Sequence, residues 1–547
     1  MVRRIGSLKL RSSSRDAFSV GSGIFVSRIT GLVRDQVIAA FFGTSLVVDA
    51  FNAALRIPNI IRNLLGEGTL SAAFVPVYST FLDDEAREED ARRLARSMLG
   101  AMLAAAALLS ALGVLLAPYL TAMVAPGFEA ETMDLASSMV PILFPMAGAM
   151  MIGAWALGVL NSHDEFFLPF VAPVAWNVAQ IGGLFLGAWR GWEPLIHVLA
   201  WSALAGGVLQ VAVQLPAVRR RVGSLAPRLE WSWEPLRRVV RNMGPVAGSQ
   251  GIFQFSSYAD VFLASFLVQG AVGAPAWLSG PGSLAALYFA QRVAYVPLSL
   301  FGVSVAASSL PQMSRTSERR EAVRRRVVNG FFQILFFVFP AAVAMILFGD
   351  LAVQVLFQRG DFGAASTAVV SAVLVAYAVG IVANSSVKLF ASGFHAMQDT
   401  KTPMKYAAVG VGTGVAASAL LMRPLGVPGL ALGGALGAWL NLGLLWSGLR
   451  GRLGALFDRE ALLAVGRIAL AGVVAAAAGL GARELLAGWI GTAGTVNALL
   501  VLAGTLGVAG VPYLLIVSTP PVVVPPPDRA PDESPPTDET EPDDAAT

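Results

Sequence analysis

The chain has 547 residues, 55% of them hydrophobic and 14% charged, with a mean hydropathy of +0.66; soluble domains carry about 25% charged residues, so the composition excludes an ordinary soluble domain and indicates an integral membrane protein. There is no cysteine and only three histidines, His163, His197 and His395, far apart in sequence, which excludes disulfides and thiolate metal sites and argues against a histidine-rich metal centre. The formal net charge of +4, with no soluble module that interleaves basic and aromatic residues, points to anionic lipid or an anionic substrate rather than nucleic acid.

Residues 1–16 read as a basic, polar N-terminus. No small-residue cleavage site is set apart from the apolar run that follows, so the first helix is expected to stay in the protein. Between Ser22 and Pro76 the chain is apolar enough to enter a bilayer yet carries Arg28, Arg34, Asp35, Asp49, Arg56, Arg62 and Glu67. An ionised side chain at mid-membrane costs roughly 2.5 to 3.5 kcal/mol on insertion scales, so these groups are expected to face protein or water. Asp49, Asn52, Arg56, Asn59 and Asn63 recur at helical spacing and predict one polar stripe, and Ser27, Thr30 and Arg34 predict another on the preceding helix. Pro58, Gly66 and Gly68 predict a break in the second helix, and irregular backbone at membrane depth lines a cavity. The plainer alternative is that Arg28, Arg56 and Glu67 reach to the interfaces while Arg34 and Asp35 neutralise one another.

The run SRITGLVRD followed by DAFNAALRIPNIIRNLLGEGTLSAAFVPVY resembles the opening of the MurJ (MviN) family, the lipid II flippases of bacterial cell-wall synthesis. Further along, apolar runs long enough to cross a bilayer predict fourteen spans, centred on 26–42, 47–65, 98–118, 135–160, 166–189, 195–215, 239–268, 284–310, 328–348, 365–390, 403–421, 429–449, 461–481 and 496–517. Alternate connections hold the arginines and lysines, in the N-terminus and around Arg93, Arg220, Arg324, Lys401 and Arg452, while the others hold only Arg190, Arg359, Arg423 and Arg483. The positive-inside rule then places both termini in the cytoplasm. The asymmetry divides the chain into an N-lobe of six helices over 17–216, a basic cytoplasmic linker over 217–238, a C-lobe of six over 239–449, and a last pair over 450–517 with its preceding loop. The resemblance implies the same plan of two six-helix lobes plus two helices, within the superfamily that includes MATE-type exporters. The expected fold is therefore all-α, with about fourteen transmembrane helices.

In the seventh span Asp260 is a lone carboxylate in apolar company and a candidate cation or proton coupling site; the alternative is a partner for an arginine of the other lobe. Some members of the resembled family bind sodium at this level, but the helix-eleven ligands of that pattern fall here at Gly414 and Ser418. The eighth span resembles the family's tyrosine-alanine-aspartate-arginine signature, with Arg292 at the arginine, Gln291 in place of aspartate, and Tyr295 where some members have glutamate. Lys388 is expected to reach an interface. Asp83, Asp84 and Glu85 are expected to be solvated beside Arg87, Arg92 and Arg93 rather than to bind a metal. From residue 518 the sequence is proline-rich and acidic, with eight acidic residues from Asp528 onward against Arg529 alone, a net −7 that leaves +11 for the remainder. It is expected to be a disordered cytoplasmic tail, with recruitment of cell-wall synthesis proteins as a conceivable use.

No serine elbow, HExxH motif or metal-carboxylate pair is present, so the residues favour binding and movement over bond making. The resemblance implies a flippase moving lipid II from the inner to the outer leaflet of the cytoplasmic membrane by alternating access. It also implies that Arg34, Arg62 and Arg292 hold the pyrophosphate, that Asp35 orients Arg34, and that Arg28 and Asp49 take part in binding or gating. No cofactor is expected, and sodium, protons or the membrane potential are the candidate couplings. The alternatives are a MATE-like exporter of a drug or another undecaprenyl-linked glycan and, of another class, a membrane enzyme acting on polyprenyl pyrophosphates.

Overall fold

A computed structural model describes residues 2–270, 273–302, 320–457 and 459–518. Residues 303–310 of the eighth expected span and the acidic tail from residue 519 lie outside them. Among the described residues the chain is helical: α1 (Val2–Phe42), α2 (Leu46–Ala54), α3 (Arg56–Leu65), α4 (Glu67–Leu82), α5 (Glu88–Leu115), α6 (Ala117–Val124), α7 (Ala130–Ser162), α8 (Phe167–Val171), α9 (Pro173–Arg190), α10 (Leu195–Val222), α11 (Glu234–Val268), α12 (Ser283–Pro297), α13 (Arg320–Phe357), α14 (Ala364–Ala396), α15 (Lys401–Leu425), α16 (Val427–Leu453), α17 (Arg459–Ile490) and α18 (Thr495–Ile516). Eleven stretches among the described residues are long and apolar enough to cross a membrane. The expected spans outside that set, over α1, α2–α3 and α11, are those that carry the polar stripes and Asp260.

The second expected span is broken twice. Pro58 has no N–H to return to the carbonyl of Ala54, and the helix resets at Leu55. A second break falls at Gly66, whose extended ψ of −138° leaves the helical region. A Cβ at Gly66 would also meet the Arg62 carbonyl oxygen at 2.2 Å.

Apolar packing forms three clusters. One lies within the first half, where Trp155 of α7, Phe74 and Tyr78 of α4 and Leu94 of α5 are fully buried. A second joins α13, α14 and α16 to the last two helices, which pack on α13. The third spans both halves at one end of the molecule, uniting Ile38, Phe51 and Leu143 with Leu267, Phe289 and Phe357. The halves are thus sealed together at that end. There Gly43, with φ +57°, lets the α1–α2 turn lie against the Asp361 carbonyl oxygen, which a Cβ would approach to 2.5 Å.

The basic linker is shorter than its charge suggests. α10 runs on to Val222, ending in Arg219, Arg220 and Arg221, whose charges favour a helix C-terminus. Beyond it the chain is stapled to α5: Arg93 pairs with Glu230 at 2.6 Å, and the Arg96 Nε donates to the Ala226 carbonyl at 3.0 Å. Leu236 and Val239 of α11 are fully buried in the core of the first half.

Candidate functional site

Between the halves lies a cavity of about 940 Å³. Its charged lining residues are Arg28, Arg34, Asp35, Arg62 and Arg292, four guanidinium groups against one carboxylate. α1 supplies Arg28, Arg34 and Asp35, α3 supplies Arg62, and α12 of the other half supplies Arg292.

Asp35 is the hub. Its side chain is 3% exposed and receives Arg34 at 2.6 Å, Arg292 at 3.0 Å and the Tyr288 hydroxyl at 2.7 Å. Arg34 is equally fixed, donating to Asn177 Oδ1 at 3.1 Å and lying 4.5 Å from the centre of the Trp176 ring. Arg292 is different. Its side chain is 47% exposed, and it donates to the Tyr288 hydroxyl at 3.0 Å while pairing with Asp35, so it keeps donors directed at the cavity. Arg62 donates to Met150 Sδ at 3.1 Å and to Asn63 Oδ1 at 3.3 Å, and Arg28 donates to the Ser299 hydroxyl in the π-helical turn that follows α12. One carboxylate cannot neutralise four cations in a medium of low dielectric, so the site favours an anion.

The predicted second stripe is divided between two surroundings. Asn52, Asn59 and Asn63 line the cavity, whereas Asp49, on α2 with Asn52, and Arg56, on α3 with Asn59, stand about 60° around their helices from those neighbours and meet the opposite half instead. Asp49 is fully buried at the sealed end, where its carboxylate accepts the backbone N–H of Gly282 at 2.7 Å and of Ala285 at 2.8 Å, capping α12 across the interface. Arg56 donates to the Ser257 carbonyl of α11 and lies within electrostatic reach of Asp260. Tyr377 and Tyr295 complete that cluster. The Ser418 hydroxyl is taken up by the Leu430 carbonyl at 2.9 Å, and Gly414 faces the backbone of Gly433 and Gly437.

Of the remaining motifs, Lys388 is exposed, and Gln291 donates to the Tyr295 hydroxyl at 3.0 Å. Asp83, Asp84 and Glu85 are exposed; the arginines beside them pair with Asp90, Glu88 and Glu230 instead. The side chains of Gln250 and Glu67 lie outside the described residues. Sequence reasoning missed Trp176, Asn177, Gln180 and Gln210, which line the cavity from α9 and α10. Each is an uncharged group in a predominantly apolar helix. Only the one-turn interval between Asn177 and Gln180, and between Gln210 and Gln214, would have signalled a shared face.

The family model described as lipid II flippase MurJ matches residues 38–499. A probable lipid II flippase MurJ of Rhizobium tropici is 33% identical over 469 residues, 83% of this chain and 85% of that protein. A lipid II flippase MurJ of Burkholderia cenocepacia is 33% identical over 447 residues, 80% and 84% of the two chains. Among solved structures, a lipid II flippase MurJ in an inward closed conformation superposes with a TM-score of 0.74 at 23% identity, covering 91% of this chain and 98% of the other. An inward-facing MATE family transporter of the MOP superfamily gives 0.63 at 13% identity, over 79% and 95%. These two likenesses bear on the fold.

Proposed function

Because this chain belongs to the lipid II flippase MurJ family, we propose that its cavity is the station through which the head of lipid II crosses the bilayer while the polyprenyl tail stays in lipid. The protein is a multi-pass membrane transporter and not an enzyme. The observation that carries the site assignment is the excess of guanidinium groups over carboxylates in a cavity between the two halves. A pyrophosphate diester ionises at both phosphates, and an arginine fork addresses two of its oxygens at once. Each such contact is worth about 4 kcal/mol at 4 Å and an effective dielectric of 20, before desolvation is charged against it.

In this reading Arg292 and Arg62 receive the pyrophosphate first, since they face the cavity, and Arg34 joins as the anion competes with Asp35. Asp35 holds the empty site together and reclaims both arginines on release. Arg28 stands at the rim. Asp49 belongs to the seal, which opens when the two halves rock and the cavity closes at its other end. With both termini cytoplasmic by charge placement, the sealed end faces outward and the head moves from the inner to the outer leaflet. Asp260 is countered by Arg56 of the opposite half, so the reading assigns it no sodium ion, and the drive is given to the membrane potential acting on the retained cations.

The test is genetic and biochemical together. Single replacement of Arg34, Arg62 or Arg292 by alanine is expected to abolish rescue of cells depleted of their own lipid II flippase, at normal protein level. Rescue by all three variants overturns the assignment.

A further inference from the structure

The cavity carries a second chemistry beside its cations. Gln180 of α9 and Gln210 of α10 line it together with Asn59 and Asn63 of α3, and Gln254 of α11 reaches it from the opposite half. Gln180 and Gln210 are 1% and 7% exposed, so they are structural interior by burial yet bound the chamber. The Gln180 Nε2 is used on the Trp176 carbonyl at 3.3 Å, and no hydrogen bond joins the Gln210 side chain to a described residue. Buried amides left unpaired are costly, and those that border a chamber find their partners in what fills it.

We propose that this amide wall is a carbohydrate subsite, taking hydroxyl and acetamido groups of the sugar attached to the pyrophosphate. The inference rests on the reading of the arginines as the pyrophosphate site. Two features argue for sugar over the other parts of the ligand. First, each amide offers donors on one side and an acceptor on the other, which matches groups that both give and accept hydrogen bonds, and it has no charge with which to select an ionised peptide. Second, the wall adjoins the cations in the way a covalently adjacent sugar requires. Asn177, which accepts from Arg34, is one turn of α9 from Gln180. Met150, which accepts from Arg62, is one turn of α7 from Gly153, where a Cβ would lie 3.8 Å from the Gln210 Nε2. On the far side Asn63 donates to the Gln254 Oε1 at 3.3 Å, so the wall closes across both halves.

The experiment measures binding of two lipids to the purified, detergent-solubilised full chain: lipid II, and undecaprenyl pyrophosphate, which lacks sugar and peptide. Wild type is expected to bind lipid II more tightly. Gln180→Leu and Gln210→Leu are each expected to weaken lipid II about three- to tenfold, as for loss of one or two net hydrogen bonds, and to leave undecaprenyl pyrophosphate unchanged. Gln210→Asn, which withdraws the amide by one methylene, serves wherever a leucine variant does not accumulate as a monodisperse protein. Equal loss on both lipids, no loss on either, or a wild type that does not distinguish them overturns the subsite. The arginine assignment fails separately, if Arg292→Ala binds undecaprenyl pyrophosphate as well as wild type does.

Discussion

The carboxylate of Asp35 stands 3.0 Å from the guanidinium of Arg292, a residue of the opposite half of the molecule, while holding its own neighbour Arg34 at 2.6 Å. An internal anion thus occupies the place between two cations that a substrate phosphate would take. Asp35→Asn removes it and leaves Arg34, which is 4% exposed, without its counter-charge. Breaking a buried pair in this way costs about 3 to 5 kcal/mol, so the thermal midpoint of the purified variant is expected to fall. Undecaprenyl pyrophosphate is expected to restore it by more than it raises wild type, because the ligand now meets no competitor. A ligand-induced shift no larger than that of wild type would contradict the role given to Asp35.

At the sealed end the relevant bond partners are Asp49 and the first turn of α12. The Asp49 carboxylate accepts two backbone N–H groups that would otherwise be unpaired at a buried helix start. Asp49→Ala is expected to weaken the closed state by about 1.5 to 3 kcal/mol, the worth of hydrogen bonds to a charged group. The chain has no cysteine, so a single Thr44→Cys provides a clean reporter beside Gly282. Labelling of that cysteine by a membrane-impermeant maleimide added outside intact cells is expected to rise at least tenfold in the Asp49→Ala background. Equal labelling in both backgrounds would remove Asp49 from the seal.

These relationships differ in how far the sequence reveals them. Arg34 and Arg62 were legible as groups facing protein or water because a guanidinium in an apolar run has few tolerable surroundings, and Arg292 through the resemblance of its span to the family signature. Their mutual arrangement was not: Asp35 and Arg292 lie on helices from different halves, and nothing local specifies which acid meets which base. The same holds for Asp49, whose partner Gly282 is 233 residues away. Periodicity placed Asp49 and Arg56 in the cavity stripe because residues three apart share a helix face, although they stand about 60° apart around it. Pro58 and Gly66 announced the breaks, but the rotation they introduce depends on what each short helix packs against. The amides Gln180 and Gln210 were overlooked for the opposite reason, since an uncharged polar group in a long apolar helix is compatible with either packing or a wet face.

Outside the bilayer, Asp399 organises the turn before α15. Hydrogen bonds from the Thr402 hydroxyl and backbone N–H, then the guanidinium of Arg452 at 2.5 Å, hold its carboxyl well below the usual carboxylate range. A depressed carboxyl stabilises the folded state at every pH above its unfolded value, and that contribution is lost as pH falls through the folded one. Asp399→Asn is therefore expected to lower the thermal midpoint at pH 7. The gap to wild type should narrow only in acid below the ordinary carboxylate range. A gap that closes between pH 7 and 5 would point to a different titrating group.

In the proposed mechanism the cations that hold the substrate are expected also to couple the empty carrier to the membrane potential. Once lipid II has left, the cavity lining retains four guanidinium groups and one carboxylate, and return of the empty site toward a negative interior moves positive charge down the field. One charge carried through the full drop is worth about 2.3 kcal/mol per 100 mV, or roughly a fiftyfold bias in the resting equilibrium. Proteoliposomes in which a potassium gradient and valinomycin set the potential, negative on the cytoplasmic face, are expected to move fluorescent lipid II faster than depolarised ones, with reversed polarity slowing it. The loaded carrier should be less sensitive, because the two negative charges of the pyrophosphate offset most of the lining's positive excess. Single-turnover outward movement is therefore expected to depend on potential less than multiple turnover does. A multiple-turnover rate that stays constant when the potential is collapsed would sink the electrical reset and return the question of drive to the polar cluster around Asp260.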